Sequence, residues 1–278
     1  MPVWIVASIF AAFMQNLRFL LQRHLKVTTL STGGATWARF LYSAPLVAVL
    51  VLVYAGASGQ GWPGTNARFW GFVVTGGLAQ MLATACVVAL FARRNFTVGI
   101  TLKKTEVILT AGFGLLILGE AVSASVLVAI VVGFVGVLLL SDPPKGAVPL
   151  RYRGASLALE AGDVMLRASF TLSAATAVQT LILGLWLFLR EREEIGKVVA
   201  SWRVSALVGL TSMAGSLGWF IAFTLQTAAL VKAVGQVELV FTFLFSIFWL
   251  KERSSGKEIA GIALILVSLG IIIAGTLL

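Results

Sequence analysis

Cysteine and histidine are almost absent from this 278-residue sequence, which has only Cys86 and His24. With one of each, no disulfide framework, Cys/His zinc cluster or Cys-His catalytic pair can be built. Charge is scarce too, at 12% of residues, and acids are scarcest, with 11 Asp and Glu against 21 Lys and Arg. A soluble domain of this length needs a charged surface that such a composition does not supply. No G-x-x-x-x-G-K-[ST] loop is present, and no polar segment is long enough for a nucleotide-hydrolysing domain. The net charge of +10 is dispersed among apolar stretches without a basic, aromatic-flanked patch, which argues against nucleic acid as a partner. The start, Met1-Pro2-Val3-Trp4, lacks a basic n-region and reads as a retained first helix, not a cleaved signal peptide.

What the chain has in abundance is apolar sequence: 59% of residues are hydrophobic and the mean hydropathy is +0.99. Its solvent is therefore lipid. A helix needs about 20 apolar residues to cross the hydrocarbon core, and ten stretches meet that length. They run from Val3 to Gln22, Gly33 to Ala55, Phe69 to Ala92, Thr97 to Gly119, Val122 to Leu140, Ala147 to Leu166, Ala168 to Leu189, Val204 to Leu225, Val231 to Leu250 and Glu258 to Leu278. The sixth is short and polar, carrying Arg151, Arg153, Glu160 and Asp163, which leaves nine as the alternative count.

Three of the six prolines fall in Ser141 to Arg153, near the centre of the chain, and mark a linker between two halves. The halves divide as 1–141 and 154–278, with 142–153 joining them. At an offset of 132, Gly77 to Glu120 aligns without gaps on Gly209 to Glu252, with nine identities in 44 positions. Two of these are acidic, Glu106 with Glu238 and Glu120 with Glu252, and acids are rare inside membranes. Common origin of the halves follows. Five helices per copy would turn the second copy upside down, giving an all-α integral membrane protein of ten transmembrane helices in two inverted repeats. Fourteen basic residues would then lie on one side against Arg68, Arg167 and Lys232 on the other, which places the termini outside the cell.

Glu106 and Glu238 occupy the middles of the fourth and ninth spans, where an unpaired charge costs about 2.5–3.5 kcal/mol on insertion scales. Each lies on a recurring face: Gly99, Lys103, Glu106, Thr110 and Phe113, then Val231, Gly235, Glu238, Thr242 and Phe245. The spacing predicts both glutamates at a shared midplane cavity, as substrate or proton groups, against the alternative of glue between neighbouring helices. Lys103, at i, i+3 from Glu106, is placed to pair with it, while Lys104 is left over or snorkels to the interface. Arg39, Gln236, Trp219 and Asp163 complete the candidate site. The stripe Gln15, Arg18 and Gln22 adds inward-facing candidates, with Arg18 and Gln22 given a mainly interfacial role. Cations prevail in the first half and acids (Glu160, Asp163, Glu238) in the second, a dipole suited to an amino acid or similar zwitterion, with organic anions next.

These features resemble the drug/metabolite transporter superfamily, in its ten-helix EamA-type branch, over nearly the whole chain. The most specific segments are LLILGEAVS and SIFWLKERSSGKEIAG, similar to that family's repeated Leu-Gly-Glu junction, although Lys251 replaces a glycine. Proline is frequent in the family where the fourth and ninth helices begin, and Val98 and Leu230 stand there here. The resemblance implies a cavity lined by helices 1 to 4 and 6 to 9 and alternating access without a nucleotide domain. Family substrates include amino acids, sugars, nucleotide-linked metabolites and drugs, often exported. It also implies cytoplasmic termini in many relatives, contrary to the charge count. The expected protein is a secondary transporter of the inner (plasma) membrane, monomer or homodimer, with a small-molecule substrate. It needs no cofactor, proton coupling through the two glutamates being its one candidate requirement. A channel or an intramembrane enzyme is the alternative from another class, and His24, alone at a helix end, gives an enzyme little to work with.

Overall fold

A computed structural model of the chain describes residues 2–91, 128, 131–132, 135, 159, 162–248 and 256–277. Those residues are helical apart from short connections. The longer helices of the first half are α1 (Val3–Thr28), α2 (Thr32–Ser58) and α3 (Ala67–Phe91). The second half contributes α4 (Val164–Arg190), α5 (Arg192–Ala200), α6 (Trp202–Leu225), α7 (Ala228–Val234), α8 (Val237–Phe248) and α9 (Gly256–Leu277). Six stretches among the described residues are long and apolar enough to cross a membrane, α7 and α8 together forming the sixth. Side chains are arranged for lipid: Leu181 is 72% and Leu185 60% exposed, whereas Arg18, Gln22, Glu238 and Thr242 are buried. A water-soluble bundle would reverse this.

Several boundaries differ from the sequence reading. The sixth expected span, Ala147 to Leu166, does not keep its end: Gly162 and Asp163 precede α4, and Val164 to Leu166 form its first turn. Asp163 is the reason, because its carboxylate caps α4 by accepting from the Leu166 N–H at 2.8 Å. The ninth span, Val231 to Leu250, is two helices separated at Gly235 and Gln236, where i to i−3 bonds replace the regular ladder. Helix α5 was not anticipated. The fourth and fifth spans lie outside the described residues except for Val128, Val131, Val132 and Val135, which are helical; the linker also lies outside them.

Helix α1 packs along α6, α6 against α2, and α2 against α4. Close approach of α6 to α2 depends on Gly209, where an added Cβ would stand 2.6 Å from the Tyr42 carbonyl carbon and 3.0 Å from the Ser43 nitrogen. Pro45 lies within α2 without ending it, as neighbouring helices allow in lipid.

Helices α2 and α4 are the same length, 27 residues, and the 132-residue offset carries one onto the other from first residue to last. Their caps correspond as well. Ser31 accepts from the Gly34 N–H and Asp163 from the Leu166 N–H. Each cap is also clamped by the other half. The Ser31 N–H donates to Glu194 Oε2 and its hydroxyl to Glu191 Oε2, both at 2.6 Å. At the opposite end, the Tyr54 hydroxyl and Gln60 Nε2 donate to Asp163 Oδ2, and the Asp163 N–H donates to Gln60 Oε1 at 2.9 Å. The start of each helix thus meets the segment leaving the end of the other, so the two run antiparallel.

Both clamps are acid-sensitive in the same direction. At Glu194, burial raises the carboxyl pKa, but bonds from Lys197 and Ser31 outweigh it and leave the group below its ordinary value. Asp163 is also held low, first by the Tyr54 hydroxyl and then by the Leu166 N–H. Carboxylates depressed in the fold contribute stability above their unfolded pKa, about 4, and lose it as pH falls through the folded value. Glu194→Gln and Asp163→Asn should therefore lower the melting temperature at neutral pH, with the gap to wild type closing below about pH 4. Gly209→Val should cost about 1–3 kcal/mol in thermal or denaturant unfolding, because backbone atoms cannot move aside.

Candidate functional site

Helix α1 carries Gln15, Asn16, Arg18 and Gln22 in a segment with no acidic residue. Such a polar strip in a membrane helix must face protein, and Asn16, Arg18 and Gln22 are buried, with Arg18 at 2% exposure. This corrects the interfacial role expected for Arg18 and Gln22. Gln22 is structural: its Nε2 donates to the Ala35 carbonyl of α2 at 3.0 Å.

Opposite Gln15 and Asn16 stands the break between α7 and α8. Glu238 is fully buried in the first turn of α8, where the helix dipole favours a carboxylate. Its Oε2 accepts from Gln15 Nε2 at 3.0 Å, and Gln15 Oε1 accepts from the Trp219 indole N–H at 3.1 Å. Asn16 Nδ2 donates to the Glu238 backbone carbonyl at 2.8 Å and to the Thr242 hydroxyl, which itself donates to that carbonyl at 2.9 Å. One helix of the first half thereby grips a break in the second through four polar side chains.

Trp219 bridges this network to a cation. Its ring stacks on Phe223 with centroids 6.0 Å apart, and the Lys232 ammonium lies 4.8 Å from the Trp219 centroid. Lys232 is only 5% exposed, so it belongs to the interior and not to the loop where the charge count put it. Gly235 makes room for the indole, since a Cβ there would stand 2.6 Å from Trp219 Cη2. Gln236, in the break itself, is buried with Oε1 lacking a hydrogen-bond partner.

Arg39 is buried beneath this network. Its guanidinium donates to Ser212 Oγ at 2.9 Å, Thr84 Oγ1 at 2.7 Å and Ser216 Oγ at 3.5 Å. Arg18 lies within electrostatic reach of both Arg39 and Glu238. At about 1.5 Å rise per residue, Arg18 is roughly 15 Å from the end of α1 and Arg39 roughly 10 Å from the start of α2, so both lie inside the hydrocarbon region.

Of the expected residues, Glu238, Thr242, Trp219, Gln236 and Arg39 are thus buried in the interior, the first three joined through Gln15 and Asn16. Asp163 is not with them; it is exposed at the start of α4, its carboxylate taken up by the cap and clamp. Glu106, Lys103, Lys104 and Thr110 lie outside the described residues. Asn16 and Lys232 were missed. The signal for Asn16 was present, since it adjoins Gln15 in a span free of acids, but Lys232, second residue of the expected ninth span, reads as one of the loop charges. Among the described residues no group of His, Cys, Asp and Glu is placed to hold a metal ion.

Residues 158–274 match the EamA-like transporter family. No curated protein matches the chain. A solved structure, described only as the crystal structure of a protein, is similar at a TM-score of 0.59 and 14% identity, covering 94% of this chain and 96% of that one. At that identity the likeness concerns the fold.

The Gln15 to Glu238 bond should register as energetic coupling. Gln15→Leu leaves a buried carboxylate without that donor and should destabilise by about 1.5–3 kcal/mol. In a double-mutant cycle with Glu238→Gln, unfolding free energies should depart from additivity by about 0.5–3 kcal/mol.

Proposed function

Because residues 158–274 match the EamA-like transporter family, we propose that the chain is a secondary transporter of a small polar metabolite. The favoured substrate is an amino acid or similar zwitterion, moved by alternating access, in the direction of export. The observation that carries this reading is the buried polar network in which α1 meets the broken α7–α8 helix. Broken helices at the midplane place dipole ends and backbone polar groups where a solute can use them. Cations of the first half, Arg18 and Arg39, and the acid of the second, Glu238, offer opposite ends for a carboxylate and an ammonium group.

The repeat organisation belongs to the same proposal: two inverted five-helix repeats, 1–141 and 154–278, ten helices in all, in the inner (plasma) membrane. The residue-for-residue correspondence of α2 and α4 and their reciprocal clamps support it. Glu106, with Lys103, Lys104 and Thr110, would supply the first half's counterpart to the Glu238 face. Fourteen cations on one side support termini outside, and moving Lys232 to the interior widens that imbalance. A second reading, export of organic anions or drugs, is favoured by the excess of buried cations (Arg18, Arg39 and Lys232 against Glu238) around this network among the described residues. No catalytic chemistry is proposed, and a channel fits less well because opposite buried charges obstruct an open pore.

Purified protein in liposomes loaded with a pH dye tests this. Uptake of the transported solute should saturate and be accompanied by proton movement if Glu238 couples the two. Glu238→Gln should then abolish the pH-driven part of the flux while leaving solute exchange measurable. Unsaturable flux would contradict a transporter, and saturable flux without proton movement would retire Glu238 as a coupling group.

A further inference from the structure

We propose that Arg18 anchors the carboxylate of the transported solute, an assignment that rests on the transport reading above. Arg18 is deep in α1, 2% exposed, and its Nη1 is buried without a hydrogen-bond partner. A guanidinium offers five N–H donors in a rigid planar fork and does not deprotonate, so a buried donor of this kind calls for an acceptor. The nearby Phe19 ring, 4.2 Å from the guanidinium carbon, supplies dispersion and quadrupole attraction but no lone pair.

Arg39 makes the contrast plain. Both arginines are buried in the same half, yet three hydroxyls from α3 and α6 accept from Arg39, whereas the Arg18 Nη1 has no such partner. Arg39 lies within electrostatic reach of Arg18 and adds its positive field there. The missing partner is thus an oxygen acceptor bearing negative charge. A carboxylate matches the fork in two parallel N–H to O bonds, which a neutral carbonyl cannot do.

Position selects the class of carboxylate. Arg18 lies one helical turn from Gln15, which binds Glu238 and Trp219. A solute held by its carboxylate at Arg18 has the acid of the opposite half within electrostatic reach for an ammonium group, and the Trp219 ring as an apolar wall. Solutes with both charged groups on one carbon, the α-amino acids, satisfy that geometry with the shortest skeleton. From spacing alone Arg18 reads as interfacial, because it stands only four residues from Gln22 and five from Arg23, at the expected end of the first span. Extension of α1 to Thr28 moves it inside.

The experiment uses full-length protein in lipid nanodiscs and the twenty L-amino acids as probes in a thermal-shift titration, followed by the amide of each one that binds. At least one amino acid should raise the melting temperature, and its amide should bind about tenfold or more weakly, as expected for losing a charged hydrogen-bonded partner. Arg18→Gln should erase the preference for acid over amide. Arg18→Lys, which keeps the charge and loses the fork, should retain it in part and serves if the glutamine variant does not fold. Equal binding of acid and amide to wild type, undiminished preference in either variant, or no stabilisation by any amino acid would overturn the assignment. Liposome uptake of the same probes separates the two proposals. A probe that binds through Arg18 and is not moved removes the transport reading and leaves the anchor, while uptake without discrimination between acid and amide removes the anchor and leaves transport.

Discussion

The fold is organised around the need to hold charge inside a protein whose exterior is hydrocarbon. An unpaired ion in the bilayer core is unfavourable by several kcal/mol, so each buried charge requires partners fixed by packing. Glu238 has an amide donor from α1 and the start of α8 behind it; Arg39 has three hydroxyls. Because the partners come from different helices, the charges dictate which helices must touch. The association of α1 with α8 and of α2 with α3 and α6 follows from these requirements together with close packing at small residues such as Gly209.

The same requirement links structure to function. A bond network that joins the two halves through side-chain donors can exchange partners, whereas a backbone ladder cannot. Gln15 is half-buried and bonded at both ends of its amide, to a carboxylate and to an indole. The clamps at Ser31 and Asp163 lie at the opposite ends of the α2–α4 pair. They hold that pair together as a unit. Gly235 lets the Trp219 indole lie against the break.

Much of this was legible in the sequence. Apolar runs of membrane length located α1, α2, α3, α4, α6 and α9 to within a turn or two, because lipid imposes a length that few other patterns share. Glu238 and Thr242 stood out as polar residues at helical spacing in an apolar stretch, and both proved buried in the network. What the sequence could not convey was how polar atoms are used. Asp163 carries the same carboxylate as Glu238, yet a cap and two donors at a helix end consume it. Lys232 looked like a loop cation because the break after Val234 has no proline or polar run to announce it, and hydropathy averages across it. Arg18 was misplaced because charge at a span's edge reads as its boundary, while its long side chain and inward face are properties of the packed bundle.

Under the transport proposal, the polar network around Gln15, Trp219 and Glu238 is the site alternately open to the two sides of the membrane. Its most direct test is thiol labelling of Gln15→Cys on a Cys86→Ser background in sealed liposomes, with an impermeant reagent supplied from one side and then, separately, from the other. Labelling from both sides and protection by a transported solute are expected. A thiol at position 15 that reacts from neither side, with or without solute, would contradict that proposal and reduce the network to a structural core.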